Sequence, residues 1–187
     1  MRVLVIAAGV VMAMAPAAVQ TPPEATSLLG KPLMSAPQAE PQRLRNEENL
    51  SAATAAFDKD PSSADAIIWL GRRTAYLGRF RDAIAIYTRG IERHPTDARL
   101  LRHRGHRYIT VRELDGAVAD LSKAATLVKG RPDEVEPDGQ PNAKNIPTST
   151  LNTNIYYHLG LAHYLRGNFD QALDAYRECL RISKNPD

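Results

Sequence analysis

The sequence predicts an all-α fold, an array of helical hairpins stacked side by side, and three observations carry that prediction. Between residues 64 and 97, Ile67, Leu70, Thr74 and Leu77 fall at intervals of three and four, as do Phe80, Ala83, Ile84, Tyr87 and Ile91, with Gly78 between the two runs. This is the spacing of two short amphipathic helices joined by a tight turn. The pattern recurs 34 residues on, where Gly71, Ala83, Tyr87 and Gly90 are matched by Gly105, Ala117, Leu121 and Ala124. It returns after a further 55 residues at Gly160, Ala172, Tyr176 and Cys179. One hairpin cannot bury its own apolar stripe, so the copies must stack.

In chain order, Met1 and Arg2 precede about thirteen apolar residues and the small-residue stretch Ala15-Pro16-Ala17-Ala18. That is the pattern of a cleaved secretory signal over residues 1–18, and the run is short of the ~20 residues a spanning helix needs. No cysteine follows it to carry a lipid. The expectation is an exported protein, periplasmic or extracellular, with no stable membrane insertion after cleavage. Residues 19–42 hold Pro22, Pro23, Pro32, Pro37 and Pro41 among small and polar residues and read as a disordered linker.

The repeat domain is expected over residues 43–186. It begins with a single amphipathic helix over 43–57, with Leu50, Ala53, Ala56 and Phe57 on one side, ending at Asp60 and Pro61. The first hairpin, 64–97, has Ser62 and Asp65 at capping-box spacing, and Thr96 is placed to cap the next helix. The second, 98–129, predicts helices over 99–110 and 114–128; Arg112 stands where the first copy has Gly78, so a non-glycine residue is expected in a strained conformation. An insertion over 130–150 carries four prolines and the acids Asp133, Glu134, Glu136 and Asp138, a long acidic surface loop beside a basic hairpin. The third copy occupies 151–186, and the little that follows leaves its apolar face to be covered by a continuation or a partner.

Composition fits one ordinary globular domain: 187 residues, 43% hydrophobic and 24% charged. The formal charge of +3 is unevenly spread, since residues 64–128 hold twelve basic side chains against seven acidic ones. The single cysteine, Cys179, excludes an internal disulfide and sits in a helical pattern between Tyr176 and Leu180, where it reads as a small packing residue.

Leu70-Gly71, Gly105 and Leu159-Gly160, followed by small residues at 83, 117 and 172 and large ones at 87, 121 and 176, resemble the tetratricopeptide repeat. The resemblance covers residues 43–186. It implies an α-α superhelix, or solenoid, of about three helix-turn-helix repeats plus a leading helix, with a peptide-binding concave face built from the first helix of each pair. Ile67, Leu101 and Tyr156 stand where the family favours Trp, Arg104 replaces the leucine before the glycine in copy two, and the terminal proline is missing from copies two and three.

Transferred onto this register, the concave face is lined by Asp65, Ile68, Trp69, Arg72 and Tyr76, then Arg99, Arg102, His103 and His106, then Asn154, Tyr157, His158, Leu161 and Tyr164. The residues expected to bind peptide are Trp69, Arg72, Tyr76, Arg99, Arg102, His106, Asn154 and Tyr157. Guanidinium groups hold carboxylates by paired hydrogen bonds and aromatic rings supply contact area, so an acidic or extended segment of a protein partner is the expected ligand. The insertion is a second candidate for the same place, as an internal acidic plug.

Other chemistries find little support. His103 and His106 lie three apart, and His158 and His163 five apart, but no Glu is placed as in HExxH and no Cys pair completes a zinc set, so neither a metal nor another cofactor is expected. His163 reads instead as a hydrogen-bonded packing residue. No GxSxG, phosphate loop or dinucleotide fingerprint occurs, and catalysis is not expected. The basic middle would attract phosphate, but export removes the usual nucleic-acid targets, so nucleic acid is not expected as a partner. The function expected is non-catalytic protein association through the groove; the alternative is a scaffold subunit of an envelope complex that docks through its uncovered carboxyl-terminal repeat. The sequence leaves the oligomeric state open.

Overall fold

The computed structural model describes residues 22–137 and 141–183. The leader expected over 1–18 lies outside them. The order of elements is β1 (Ala25–Thr26), β2 (Pro32–Leu33), α1 (Glu40–Lys59), α2 (Ala64–Tyr76), α3 (Phe80–Arg93), α4 (Ala98–Thr110), α5 (Leu114–Val128), α6 (Leu151–Leu165) and α7 (Phe169–Ile182). The pairs α2/α3, α4/α5 and α6/α7 are the three expected hairpins, and α1 packs on α2 ahead of them. The architecture is therefore the helical repeat solenoid that the spacing predicts.

Sequential helices pack on one another along the array, and α2–α4 and α4–α6 also touch directly, so the first helices of the pairs form one continuous inner face. Three buried clusters hold it together. Ile67, Ala83, Tyr87 and Leu100 form the first, Leu101, Ala124, Val128 and Ile155 the second, and Ile109, Ala117, Leu121 and Ala162 the third. Each joins residues of successive hairpins, so burial worth about 1.5–3 kcal/mol per large side chain links each repeat to the next.

The recurring glycines are explained by close approach. A Cβ on Gly71 would lie 2.4 Å from the Tyr87 ring, one on Gly105 2.7 Å from Leu121, and one on Gly160 2.6 Å from Tyr176. The second turn takes the strain expected of it: Arg112 has φ 67°, where Gly78 and Gly167 have 77° and 79° in the other two. Arg112 Nη1 donates to the Ile109 carbonyl at 3.0 Å, which helps hold the turn.

Arg104, the departure from the family's leucine, is also accounted for. Its guanidinium reaches Asp120 of α5 through two bonds, Nε to Oδ2 at 2.7 Å and Nη2 to Oδ1 at 2.8 Å, and Nη1 donates to Thr88 Oγ1 of α3 at 3.0 Å. Three helices thus share one half-buried cation. Asp120→Ala is expected to cost about 2–3 kcal/mol, below the full cost of orphaning a buried charge because Arg104 retains some solvent. The measurement is the urea midpoint at unchanged m-value.

Three local expectations need correction. The first hairpin is capped by Ser63, whose Oγ accepts from Ala66 N, while Ser62 Oγ donates to Asp60. The second is capped by Asp97, which accepts from Arg99 N, not by Thr96. The proline-rich stretch predicted as a disordered linker pairs β1 with β2 antiparallel, α1 begins at Glu40 within it, and it ties itself to the first hairpin. Ser35 Oγ donates to the Gly78 carbonyl and Gln38 Nε2 to the Tyr76 carbonyl, each at 2.5 Å, satisfying acceptors that the end of α2 leaves open.

Candidate peptide-binding groove

The register places side chains in rows across the inner face. Asp65, Arg99 and Asn154 are equivalent, as are Ile68, Arg102 and Tyr157, then Trp69, His103 and His158, then Arg72, His106 and Leu161. The rows are not empty surface, because the insertion crosses them. Val135 bridges Thr150 antiparallel, Glu136 N donates to the Ser149 carbonyl at 3.1 Å, and Leu151 N donates to the Glu134 carbonyl at 2.8 Å. Asp133 Oδ1 accepts from Asn152 N at 2.9 Å, so an acid meets the open amide end of α6. Residues 133–136 are thereby held as an extended strap over the groove.

Glu136 sits at the centre. Its Oε2 lies 2.8 Å from Arg102 Nη2 and accepts from Ser149 Oγ at 3.3 Å, with both charged side chains only 9% exposed. The pair divides the face into two chambers. One, of about 370 Å³, is lined by Arg72, Tyr76, Tyr87, Arg102, His103, His106, Arg107, Glu136, Ser149, Asn154, Tyr157 and His158. The other, of about 210 Å³, lies among Asp65, Ile68, Trp69, Arg72, Arg99, His103, Leu151 and strap residues 134–137.

The electrostatics are those of a desolvated basic site. Burial pulls the Arg102 guanidinium below its usual range against the attraction of Glu136, and burial raises the Glu136 carboxyl against the attraction of Arg102. Arg107 is likewise lowered by burial; its guanidinium lies 2.8 Å from His106 Nδ1 and over the Phe80 ring, and among the described residues no carboxylate pairs with it. Guanidinium only donates, so His103 Nδ1 accepts from Arg102 and its proton sits on Nε2, while Arg107 Nη2 lies 2.8 and 3.0 Å from the two ring nitrogens of His106, one of which accepts from it. His158 is the opposite tautomer to His103, Nδ1–H donating to the Asn154 carbonyl at 2.6 Å. All three imidazoles are kept neutral by burial first and neighbouring cations second, His158 falling to about 4.

Two sequence profiles of the tetratricopeptide repeat match the chain, one over residues 70–132 and one over 153–186, together just over half of it. The chain belongs to the tetratricopeptide repeat family. Among solved structures, a crystal structure of MamA aligns with a TM-score of 0.56 at 20% identity, over 80% of this chain and 76% of that one. MamA from Desulfovibrio magneticus RS-1, a fragment from residue 41 to its end, aligns with a TM-score of 0.54 at 14% identity, over 74% of this chain and 66% of that one. At these identities the likeness shows the fold. No curated protein sequence matches the chain. Tetratricopeptide repeats are protein–protein interaction modules, typically without catalysis.

Within this tetratricopeptide groove, all eight residues expected to bind peptide line one chamber or the other. Trp69 lies under the Arg72 and Arg73 guanidinium groups, 4.5 and 4.8 Å from its ring centre. Arg72 Nη2 donates to the Tyr76 hydroxyl at 3.2 Å, and Asn154 Nδ2 donates to Ser149 Oγ at 2.7 Å. His106 and His158 lie face to tilted face at 4.2 Å, with Tyr157 edge-on to His158. Arg99 is the least available, held by Asp97 at 2.7 Å and Asp65 at 2.6 Å. Two of the wider lining are misplaced: Leu161 packs into the third core cluster, and Tyr164 sits against Phe169 at the far end.

Sequence reasoning missed Arg107 and the part played by Glu136. Arg107 is equivalent to Arg73, one position off the predicted face, and enters the chamber through the length of its side chain. Elsewhere, His163 is half-buried, and among the described residues its buried Nδ1 lacks the hydrogen bond expected of it. Burial raises the Cys179 thiol, whose Sγ lies 3.5 Å from the Thr153 carbonyl, in keeping with a packing role. Among the described residues no three His, Cys, Asp or Glu side chains gather to hold a metal ion.

Proposed function

We propose that this chain is a non-catalytic tetratricopeptide module that binds an extended acidic segment of a partner protein in its concave groove. The observation that carries the reading is Arg107, a largely buried guanidinium that faces a chamber and has no carboxylate partner among the described residues. A desolvated cation is costly until an anion joins it, so an incoming carboxylate has more to gain there than at the surface. Tyr76 and Tyr157, both exposed at the rim, supply aromatic area for the rest of the segment. The leader's composition supports placing the module outside the cytoplasm, and amino-terminal sequencing of the protein recovered from the cell envelope tests it.

Binding is tested by titrating a short Glu-rich peptide and a DNA oligomer at two salt concentrations. Arg107→Ala is expected to weaken peptide binding by about tenfold or more, the loss expected of a desolvated charge-assisted pair. Unchanged peptide affinity in that variant, or salt-sensitive DNA binding without peptide binding, sinks the reading. A second reading, docking through the last hairpin as a scaffold subunit, is favoured by the outer face of α7, where Phe169, Leu173 and Leu180 are exposed. Light scattering on the mature chain tests that alternative, since a monomer at high concentration argues against a surface that needs covering.

A further inference from the structure

The strap that closes the groove has the chemistry of the ligand just proposed. It is an extended segment, it is acidic, and it delivers a glutamate into the buried guanidinium of Arg102 at 2.8 Å. The fit is incomplete in a way that a fixed structural ion pair would not be. Among the described residues, Arg102 Nε and Glu136 Oε1 are both buried without a hydrogen-bond partner, so the fork makes one strong bond where two parallel ones are available. The strap is anchored at the amino end of α6 through Asp133 and Glu134, and reaches the inner face through residues 134–137. Glu136 is therefore a tethered carboxylate in a subsite with unused hydrogen-bonding capacity.

We infer that Arg102 with Ser149 is the carboxylate subsite of the groove, and that Glu136 occupies it in cis as a stand-in for a glutamate or aspartate of the partner, which binds by displacing the strap. This rests on the acidic-segment reading above and adds to it the position of one ligand carboxylate and an internal competitor. The competitor lowers apparent affinity by the fraction of time that the site is open. It also defines the preferred partner sequence, an acidic residue in an extended run like the strap's own Glu134-Val135-Glu136-Pro137. Shortening the insertion is a poor test, because it would remove every group that satisfies the first amides of α6; changes at single strap residues keep at least the bond from Leu151 N to the Glu134 carbonyl.

The experiment uses the full mature chain and a labelled peptide copying residues 132–137, beside a counterpart with Gln in place of the glutamate matching Glu136. Glu136→Gln is expected to bind the copied peptide about tenfold more tightly than the unaltered chain, corresponding to a site open about one tenth of the time. The Gln peptide should bind neither. Because Glu136→Gln leaves Arg102 without its counter-charge and could unfold, Asp133→Ala is the second variant. It loosens the strap's anchor, leaves every groove charge in place, and should tighten binding by a smaller factor. Trp69, the chain's one tryptophan, lies in the strap's chamber, so its emission should shift as peptide replaces strap. Equal or weaker binding by both folded variants overturns the inference. If the unaltered chain binds acidic peptide through Arg107 in that case, the groove reading survives it. If no form binds any acidic peptide, both fail.

Discussion

Lowering the pH from 7.5 to about 5 is expected to remove about 4 kcal/mol of stability and about 10 °C from Tm. The cause is the trio of groove histidines. His103, His106 and His158 are held neutral by burial and by Arg102 and Arg107, so in the folded chain they take up protons well below their ordinary 6.5, His158 at about 4. Once unfolded, each binds its proton near 6.5. Between those values the unfolded state holds more protons, and stability falls with pH at up to ~1.4 kcal/mol per unit for each histidine. The loss begins near 6.5 and, for His158, continues to about 4. Glu136 works the other way: its raised carboxyl is a burden when charged, and the burden is relieved on acidification, which offsets part of the effect. The 4.2 Å approach of the His106 and His158 rings adds mutual repulsion once both are protonated. Urea midpoints across this range check the slope, and His158→Gln should flatten it by about one proton. A flat profile between 7.5 and 5.5 contradicts the burial of these rings.

Gly71→Ala is expected to destabilise the array by about 2–3 kcal/mol although Ala is the better helix former. The new methyl would lie 2.4–2.5 Å from the Cε1 and Cζ atoms of Tyr87, whose ring is 1% exposed and enclosed by the first core cluster. Neither partner has room to retreat. Tyr87→Ala alone should cost about 3–5 kcal/mol through the cavity it leaves. Together the two changes should be strongly non-additive, because in the enlarged site the methyl fills space and recovers up to ~1 kcal/mol of helix propensity. The sign of the Gly71→Ala effect should therefore invert in the Tyr87→Ala background, as measured by a double-mutant cycle of urea midpoints. Plain additivity would mean that the glycine is not there for contact with this ring.

The parts of this molecule that were legible in its sequence are those governed by local periodicity. The spacing of Gly71, Ala83 and Tyr87 records a hairpin's own packing, and its return at 105, 117 and 121 records the stacking of the next, so hairpin existence, order and inner face could all be read from one chain. Caps were displaced by one residue because Ser62 and Ser63, like Thr96 and Asp97, are adjacent residues with similar capping ability, and only backbone direction chooses between them. The tie from Ser35 and Gln38 to the end of α2 joins residues about forty apart and leaves no periodic trace. Glu136 shows the same limit within the groove. Its acidity is plain in the sequence, but its place depends on the bridge between Val135 and Thr150, and nothing in the order of residues singles it out from Asp133 or Glu134.

The insertion departs after Val128 and rejoins at Leu151, yet α5 and α6 pack as directly as α3 and α4 at the uninterrupted junction, with Val128, Leu151 and Ile155 in one cluster. Scaffold and selectivity are consequently separable by surgery. The helices can keep their mutual fit while the connection between two of them is exchanged, and each exchanged ribbon would present a different side chain to the same row of cations. A library varied only over residues 134–137, with 133 and 149–152 retained as the graft points, would sample new preferences without re-solving the fold.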